Sequence, residues 1–336
     1  MAIFLSFSVF FSSFRDVSTA KLLNFIMGGF LACFAYKIAS RENTRKYIEI
    51  FLWVLVVFGL AIALKGLYQY FVLHISRPRS MVSHPNIFAM YMELIIPFLL
   101  AQFLYINNMR WKRILVFAVM VILVLALVIT FSRGAWFATI IGAFLVLWCL
   151  NGRKAVFWTA AVLPVLLFSS TAIYKRFLSS FDLTMQSNIE RIHGLISSFK
   201  IILDYPLTGV GLGCYKLFYP TYKLPLAKEI LPHAHNTLMV FATEAGVFTA
   251  AAFFGFIILL IKSLYLNIRQ NIRQNNCHNE HYYLVMGMSG GILALMLHGF
   301  VDYTLGNQGV LGIFMLYIGF LLGLIEKNDN IKKAHN

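Results

Sequence analysis

Residues 111–131 read WKRILVFAVMVILVLALVITF, and from Ile114 to Ile129 the run holds no polar side chain. The apolar positions are continuous rather than alternating, which excludes a barrel strand. In lipid, such a segment must satisfy its backbone groups internally, so it is expected to be a helix. Nine other stretches, near 1–13, 20–38, 47–72, 84–105, 134–150, 155–174, 246–266, 281–302 and 308–325, approach the roughly 17–25 residues of a spanning helix. The first is short and lacks the basic start and small-residue cleavage site of a secretory signal, so it is read as a short span. Sixty per cent of the chain is hydrophobic, 12% is charged and the mean hydropathy is +0.76, which rules out a water-soluble globule. The expected fold is all-α. It is a polytopic transmembrane helical bundle of about ten spans, a single membrane domain over 1–336, with one long extracytoplasmic loop over 175–235 that contains an amphipathic helix.

Charge orients the bundle. With ten spans, one set of short loops and the C-terminal tail carries fifteen basic residues, from Lys37 to Lys333. The opposite short loops carry only Arg15, Arg77, Arg79 and Arg133. The positive-inside rule then places both termini in the cytoplasm. The net charge of +15 is accounted for by orientation and by anionic lipid, which leaves no reason to invoke nucleic acid. Cys33, Cys149, Cys214 and Cys277 are too scattered for a disulfide framework or a zinc motif.

The same alternation sends the long loop to the outer side, and long loops are usually functional. Within it Ile189, Ile192, Leu195 or Ile196, Phe199 and Leu203 recur at helical spacing. Asp204-Tyr-Pro206 ends that helix, because the residue before proline disfavours helical angles. Gly209-Val-Gly-Leu-Gly213 follows and is read as a structural turn; it neither follows a strand nor opens a nucleotide fold, so it is a weak phosphate signal.

Three polar elements on the outer side are not explained by orientation. Arg133 lies in the hairpin Phe131-Ser-Arg-Gly-Ala-Trp136, where a snorkelling arginine beside Trp136 is an equal alternative. Arg191 lies on the amphipathic helix, where a solvated charge is the simpler reading. His233-Ala-His235-Asn236 sits at the mouth of a span. Two histidines two residues apart could ligate a metal, but no carboxylate or cysteine stands at convincing spacing, and no metal is expected. Taken together, two guanidinium forks suit the oxygens of a diphosphate. A histidine near neutrality suits removal of a hydroxyl proton. The combination fits glycosyl transfer from a lipid diphosphate.

In chain order, Arg79, Pro85-Asn86, Ser132-Arg133-Gly134, Arg191 through Leu195, Pro206 through Gly213, and His235-Asn236 with Gly246 resemble the O-antigen ligase and polymerase family. The resemblance covers roughly residues 77–305. It implies a bacterial inner-membrane glycosyltransferase, inverting and needing no metal or other cofactor, whose site faces the periplasm. Its donor would be a glycan on undecaprenyl diphosphate. Arg133 and Arg191 would hold the diphosphate and His235 would serve as the base or position it, with Arg79, Asn86, Asn236 and Lys216 as substrate contacts. The expected acceptor is the lipid A core, as in an O-antigen ligase of lipopolysaccharide synthesis. A growing polysaccharide, as in a polymerase, or a protein remains open. Family members commonly carry two more N-terminal spans, so the chain is expected to be short at its start. A transporter is the rival class, but no internal repeat is present and the polar groups gather at one face. Lys65 and Glu93 lie at a shared depth, about 12–14 Å inside adjacent spans, and are expected to form an ion pair. Glu244, His298 and Asp302 are expected near the outer end of the bundle, with no role assigned.

Overall fold

Helix is the only regular element among the described residues, as continuous apolar runs demand. The computed structural model describes residues 1–41, 45–106, 109–152, 154, 157, 171–179, 182, 185–225, 227–273 and 279–335. The helices are α1 (Ala2–Phe10), α2 (Arg15–Ala39), α3 (Arg45–Phe71), α4 (Pro85–Tyr105), α5 (Arg110–Ile129), α6 (Arg133–Asn151), α7 (Thr171–Leu178), α8 (Gln186–Asp204), α9 (Tyr215–Tyr222), α10 (Thr237–Ala245), α11 (Val247–Arg273), α12 (Glu280–His298) and α13 (Gln308–His335).

Among the described residues seven helices, α2 to α6, α11 and α13, are long and apolar enough to cross a membrane. This is fewer than the ten expected, for three separate reasons. The stretch 1–13 forms only the nine-residue α1, about 14 Å long at 1.5 Å per residue and too short to span. The stretch 155–174 lies largely outside the described residues. The stretch 281–302 forms the 19-residue α12, which is long enough to span but, with Glu280, His281 and His298 at its ends, is less apolar than the seven.

The chain forms two compact units, each assembled from separated segments. One comprises Phe30–Phe177, Tyr265–His298 and Gly312–Asn336. At its centre α4 begins with Pro85 in the first turn, where the missing N–H is no loss, and His84 Nδ1 accepts the Asn86 N–H at 3.2 Å. Nearly every residue of α4 from Asn86 to Gln102 is buried, and α12 packs against both α4 and α6. Small residues permit this approach: a Cβ on Gly142 would overlap the Gly290 carbonyl. A Cβ on Gly290 would meet the side chains of Val146 and Pro97 at 2.6 and 2.8 Å. Gly290→Leu is therefore expected to destabilise the detergent-solubilised protein by about 1–3 kcal/mol, read as a lowered melting temperature. An unchanged melting temperature would mean that these helices do not meet here.

The same packing redirects a charge. Lys65 is exposed on α3 and does not pair with Glu93 as expected. Glu93 is fully buried on α4, and its Oε1 lies 2.7 Å from Nδ1 of His298 on α12. The carboxylate follows the helix face that is covered by α12.

The other unit comprises Met1–Gly29, Leu178–Leu264 and Gly299–Leu311. Here α8 is amphipathic as its spacing predicts, with Ile192, Leu195, Ile196, Phe199 and Leu203 exposed in a stripe. Its opposite face, Glu190, Ser197, Ser198 and Ile201, is buried. Ser198 Oγ and the Tyr215 hydroxyl lie 3.0 Å apart, which ties α8 to α9. A helix that buries its small polar side and exposes its apolar side suits a lipid surround.

The glycine series is the structural turn that was expected. Gly209, Gly211 and Gly213 all have positive φ, and the loop lies along the end of α10. Val210 N–H donates to Thr243 O at 2.9 Å, Gly211 N–H to Glu244 O at 3.0 Å and Gly213 N–H to the Glu244 carboxylate at 2.8 Å. Donors spent on α10 are not available to cradle a phosphate. Burial pushes the Glu244 carboxyl up to about 7, against the opposing pull of the Gly213 N–H and of Lys21.

Candidate functional site

The mouth of α10 is organised by its cap. Asn236 is extended, and its side-chain oxygen accepts the Met239 N–H at 3.0 Å, as a good N-cap does. The same side chain donates through Nδ2 to Phe300 O at 3.0 Å. Thr237 N–H donates to Gly299 O at 2.7 Å, and the Thr237 hydroxyl lies 3.3 Å from both Asp302 O and the Thr304 hydroxyl. These bonds fasten the segment after α12 onto the start of α10.

That fastening sets Asp302 against the histidines. His235 adopts φ +48, an uncommon angle for a non-glycine residue and one that must be held by its surroundings. Its Nδ1 lies 3.2 Å from Asp302 Oδ1. His233 Nε2 lies 3.9 Å from the same oxygen, and His233 Nδ1 accepts the His235 N–H at 3.3 Å. The carboxylate is buried, 4% exposed, and Oδ1 also accepts the Tyr303 N–H at 2.8 Å. The two imidazole side chains are 25% and 23% exposed for His233 and His235.

The tautomer follows from donor and acceptor inventory. An ionised carboxylate only accepts, so His235 Nδ1 must carry a proton. In the neutral ring, Nε2 is then a bare acceptor, the form in which a histidine removes a proton. When Nε2 is protonated, the adjacent Asp302 charge stabilises the imidazolium. The cluster can also present three ligand atoms to a metal: one each from His233, His235 and Asp302 lie within 4.8 Å of one another. The carboxylate partner absent from the neighbouring sequence is thus supplied by a residue 67 positions away.

The remaining candidates are placed as follows. Asn236 caps α10 and belongs to the His235 cluster. Arg191 is half-buried on α8 in the same unit, and among the described residues no hydrogen bond or ion pair joins it to His235. Lys216 is exposed on α9. Arg133, Arg79 and Asn86 belong to the unit that contains α4. Arg133 opens α6 and is 7% exposed, so it does not reach out beside Trp136 as a snorkelling residue would. Trp136 instead donates its indole N–H to Leu127 O at 3.1 Å. Arg79 is exposed, next to a Ser80 that is held by Gln69 and by Ile62 O. Asn86 Oδ1 accepts from Arg77 Nη2 at 3.4 Å, and Arg77 Nε donates to Thr130 O at 3.3 Å. Arg77 had entered only as a loop charge. A second arginine two residues from Arg79 was the available signal, but not its direction.

Continuous apolar helices define an integral membrane protein, and an aspartate-backed histidine is held at the mouth of one of its helices. Residues 118–254 match the model of the family described as O-Antigen ligase. The match runs from α5 into α11 and takes in Arg133, Arg191, the glycine turn and His235-Asn236. Asp302, Arg77, Arg79 and Asn86 lie outside it. A search of curated proteins finds no match. The match supports a membrane glycosyltransferase activity of the O-antigen ligase or polymerase type in general terms.

Proposed function

We propose that the protein transfers a glycan from undecaprenyl diphosphate to the lipid A core at the periplasmic face of the inner membrane. The supporting observation is His235 Nδ1 against buried Asp302 at 3.2 Å, which leaves Nε2 as a proton acceptor at the mouth of α10. In the proposed step an acceptor hydroxyl oxygen attacks the anomeric carbon of the donor, and its proton passes to His235 Nε2. The new glycosidic bond forms as the bond to the diphosphate oxygen breaks, and undecaprenyl diphosphate leaves with the electron pair. A single displacement inverts the anomeric centre.

Arg133 and Arg191 take the charge that grows on the leaving diphosphate, which would do the work a metal does elsewhere. That assignment rests on the motifs rather than on a distance, as do the substrate contacts proposed for Arg79, Asn86, Asn236 and Lys216. The basic excess of alternate loops supports a cytoplasmic C-terminus and an outward-facing 175–235 loop within one membrane domain; because α1 is too short to span, the N-terminus falls on the outer side with Arg15 rather than in the cytoplasm as expected.

The test is transfer by purified protein in detergent, with a lipid-linked glycan donor offered either lipid A core or a second carrier-linked repeat. His235→Ala, Arg191→Ala and Arg133→Ala are each expected to lower the rate by about 10²-fold or more. Undiminished transfer in these variants would remove the proposed roles. Product with the repeat alone would reassign the protein as a polymerase. A transporter could join nothing in the absence of a membrane partition.

A further inference from the structure

The groups that hold the His235 proton also have the spacing of a metal site. Zinc bonds of about 2.0–2.2 Å to imidazole nitrogen and carboxylate oxygen, set tetrahedrally, place ligand atoms about 3.3–3.5 Å apart. His235 Nδ1 and His233 Nε2 lie 3.2 and 3.9 Å from Asp302 Oδ1, and all three ligand atoms fall within 4.8 Å of one another. The carboxylate is already oriented by the Tyr303 N–H, the kind of outer contact that steadies a ligating oxygen. Both rings are partly exposed, which leaves a route in for an ion.

We propose that His233, His235 and Asp302 form a Zn²⁺ site whose occupation stops glycan transfer. Two imidazoles and a single carboxylate favour a borderline cation over Mg²⁺ or Ca²⁺, which require several oxygens. Zinc would replace the proton between His235 Nδ1 and Asp302, and the displaced proton would pass to Nε2. The ring stays neutral, but its acceptor is closed. Ligation through His233 Nε2 puts that ring's proton on Nδ1, so the 3.3 Å bond from the His235 N–H must open. The inhibitory half of the proposal rests on the base role proposed for His235; the binding half does not.

Full-length protein in detergent, titrated with Zn²⁺ against a fluorescent zinc chelator, is expected to bind one equivalent that Mg²⁺ does not displace. His233→Ala should weaken that binding by about tenfold or more. His233→Gln, of closer size, should do the same, so a folding defect in one variant does not decide the matter. X-ray absorption of the zinc-loaded protein should show only nitrogen and oxygen neighbours. No saturable equivalent, equal affinity in both His233 variants, or a sulfur ligand would overturn the site. In the transfer assay zinc should silence the native protein reversibly on chelation and spare His233→Ala. Specific binding without any transfer activity would sustain the site and count against the base role alone. Full activity in the zinc-loaded native protein would overturn the inhibition.

Discussion

Asp302→Asn is expected to lower the turnover of glycan transfer by about 10²–10⁴-fold, the span over which a positioned general base contributes. Asp302 touches His235 rather than the reacting atoms, so it is a positioning residue. Its carboxylate accepts the Nδ1 proton at 3.2 Å and thereby keeps Nε2 free. An amide removes the charge against which the imidazolium forms, and its NH₂ end, when turned toward Nδ1, drives the proton onto Nε2. Two native bonds of the clamp, Thr237 N–H to Gly299 O and Asn236 Nδ2 to Phe300 O, do not involve the altered atoms. The loss should therefore fall on kcat, with the KM of the lipid-linked donor unchanged. Equal loss in KM and kcat, or loss of the folded protein, would show a structural part only. Asp302→Glu keeps the charge and should recover part of the rate.

His298→Ala is expected to destabilise the protein by about 3–5 kcal/mol, because it leaves the buried Glu93 carboxylate without its imidazole. Both side chains are almost wholly enclosed, at 2% and 0% exposure for His298 and Glu93, so the pair is shielded from bulk water. The double variant Glu93→Met, His298→Leu removes both polar groups at similar volume and should recover most of the loss. Thermal unfolding in detergent measures each. A single variant that melts with the native protein, or a double variant no better than the single, would show that the pair carries no such coupling.

The legible part of the site is local. The glycine turn at 209–213 and the amphipathic stripe of α8 both depend on neighbours within a few residues. Arg133 was placed correctly at a hairpin, but its burial was not legible, because a short apolar hairpin permits either an outward or an inward arginine. Lys65 was matched to Glu93 by depth alone. Depth cannot say which face of a helix is covered, and the face that bears Glu93 is covered by α12.

Hydropathy is a property of each stretch of chain, so the sequence by itself determined that residues 111–131 and their like are long, apolar helices fit to cross a membrane, with the polar motifs at their ends and between them. Pairing of buried polar groups is a property of surfaces that meet. Asp302 reaches His235 across 67 positions and His298 reaches Glu93 across 205, separations that carry no periodic trace. Only the tertiary structure could decide those partners, because a buried carboxylate takes whichever donor the packing brings to it.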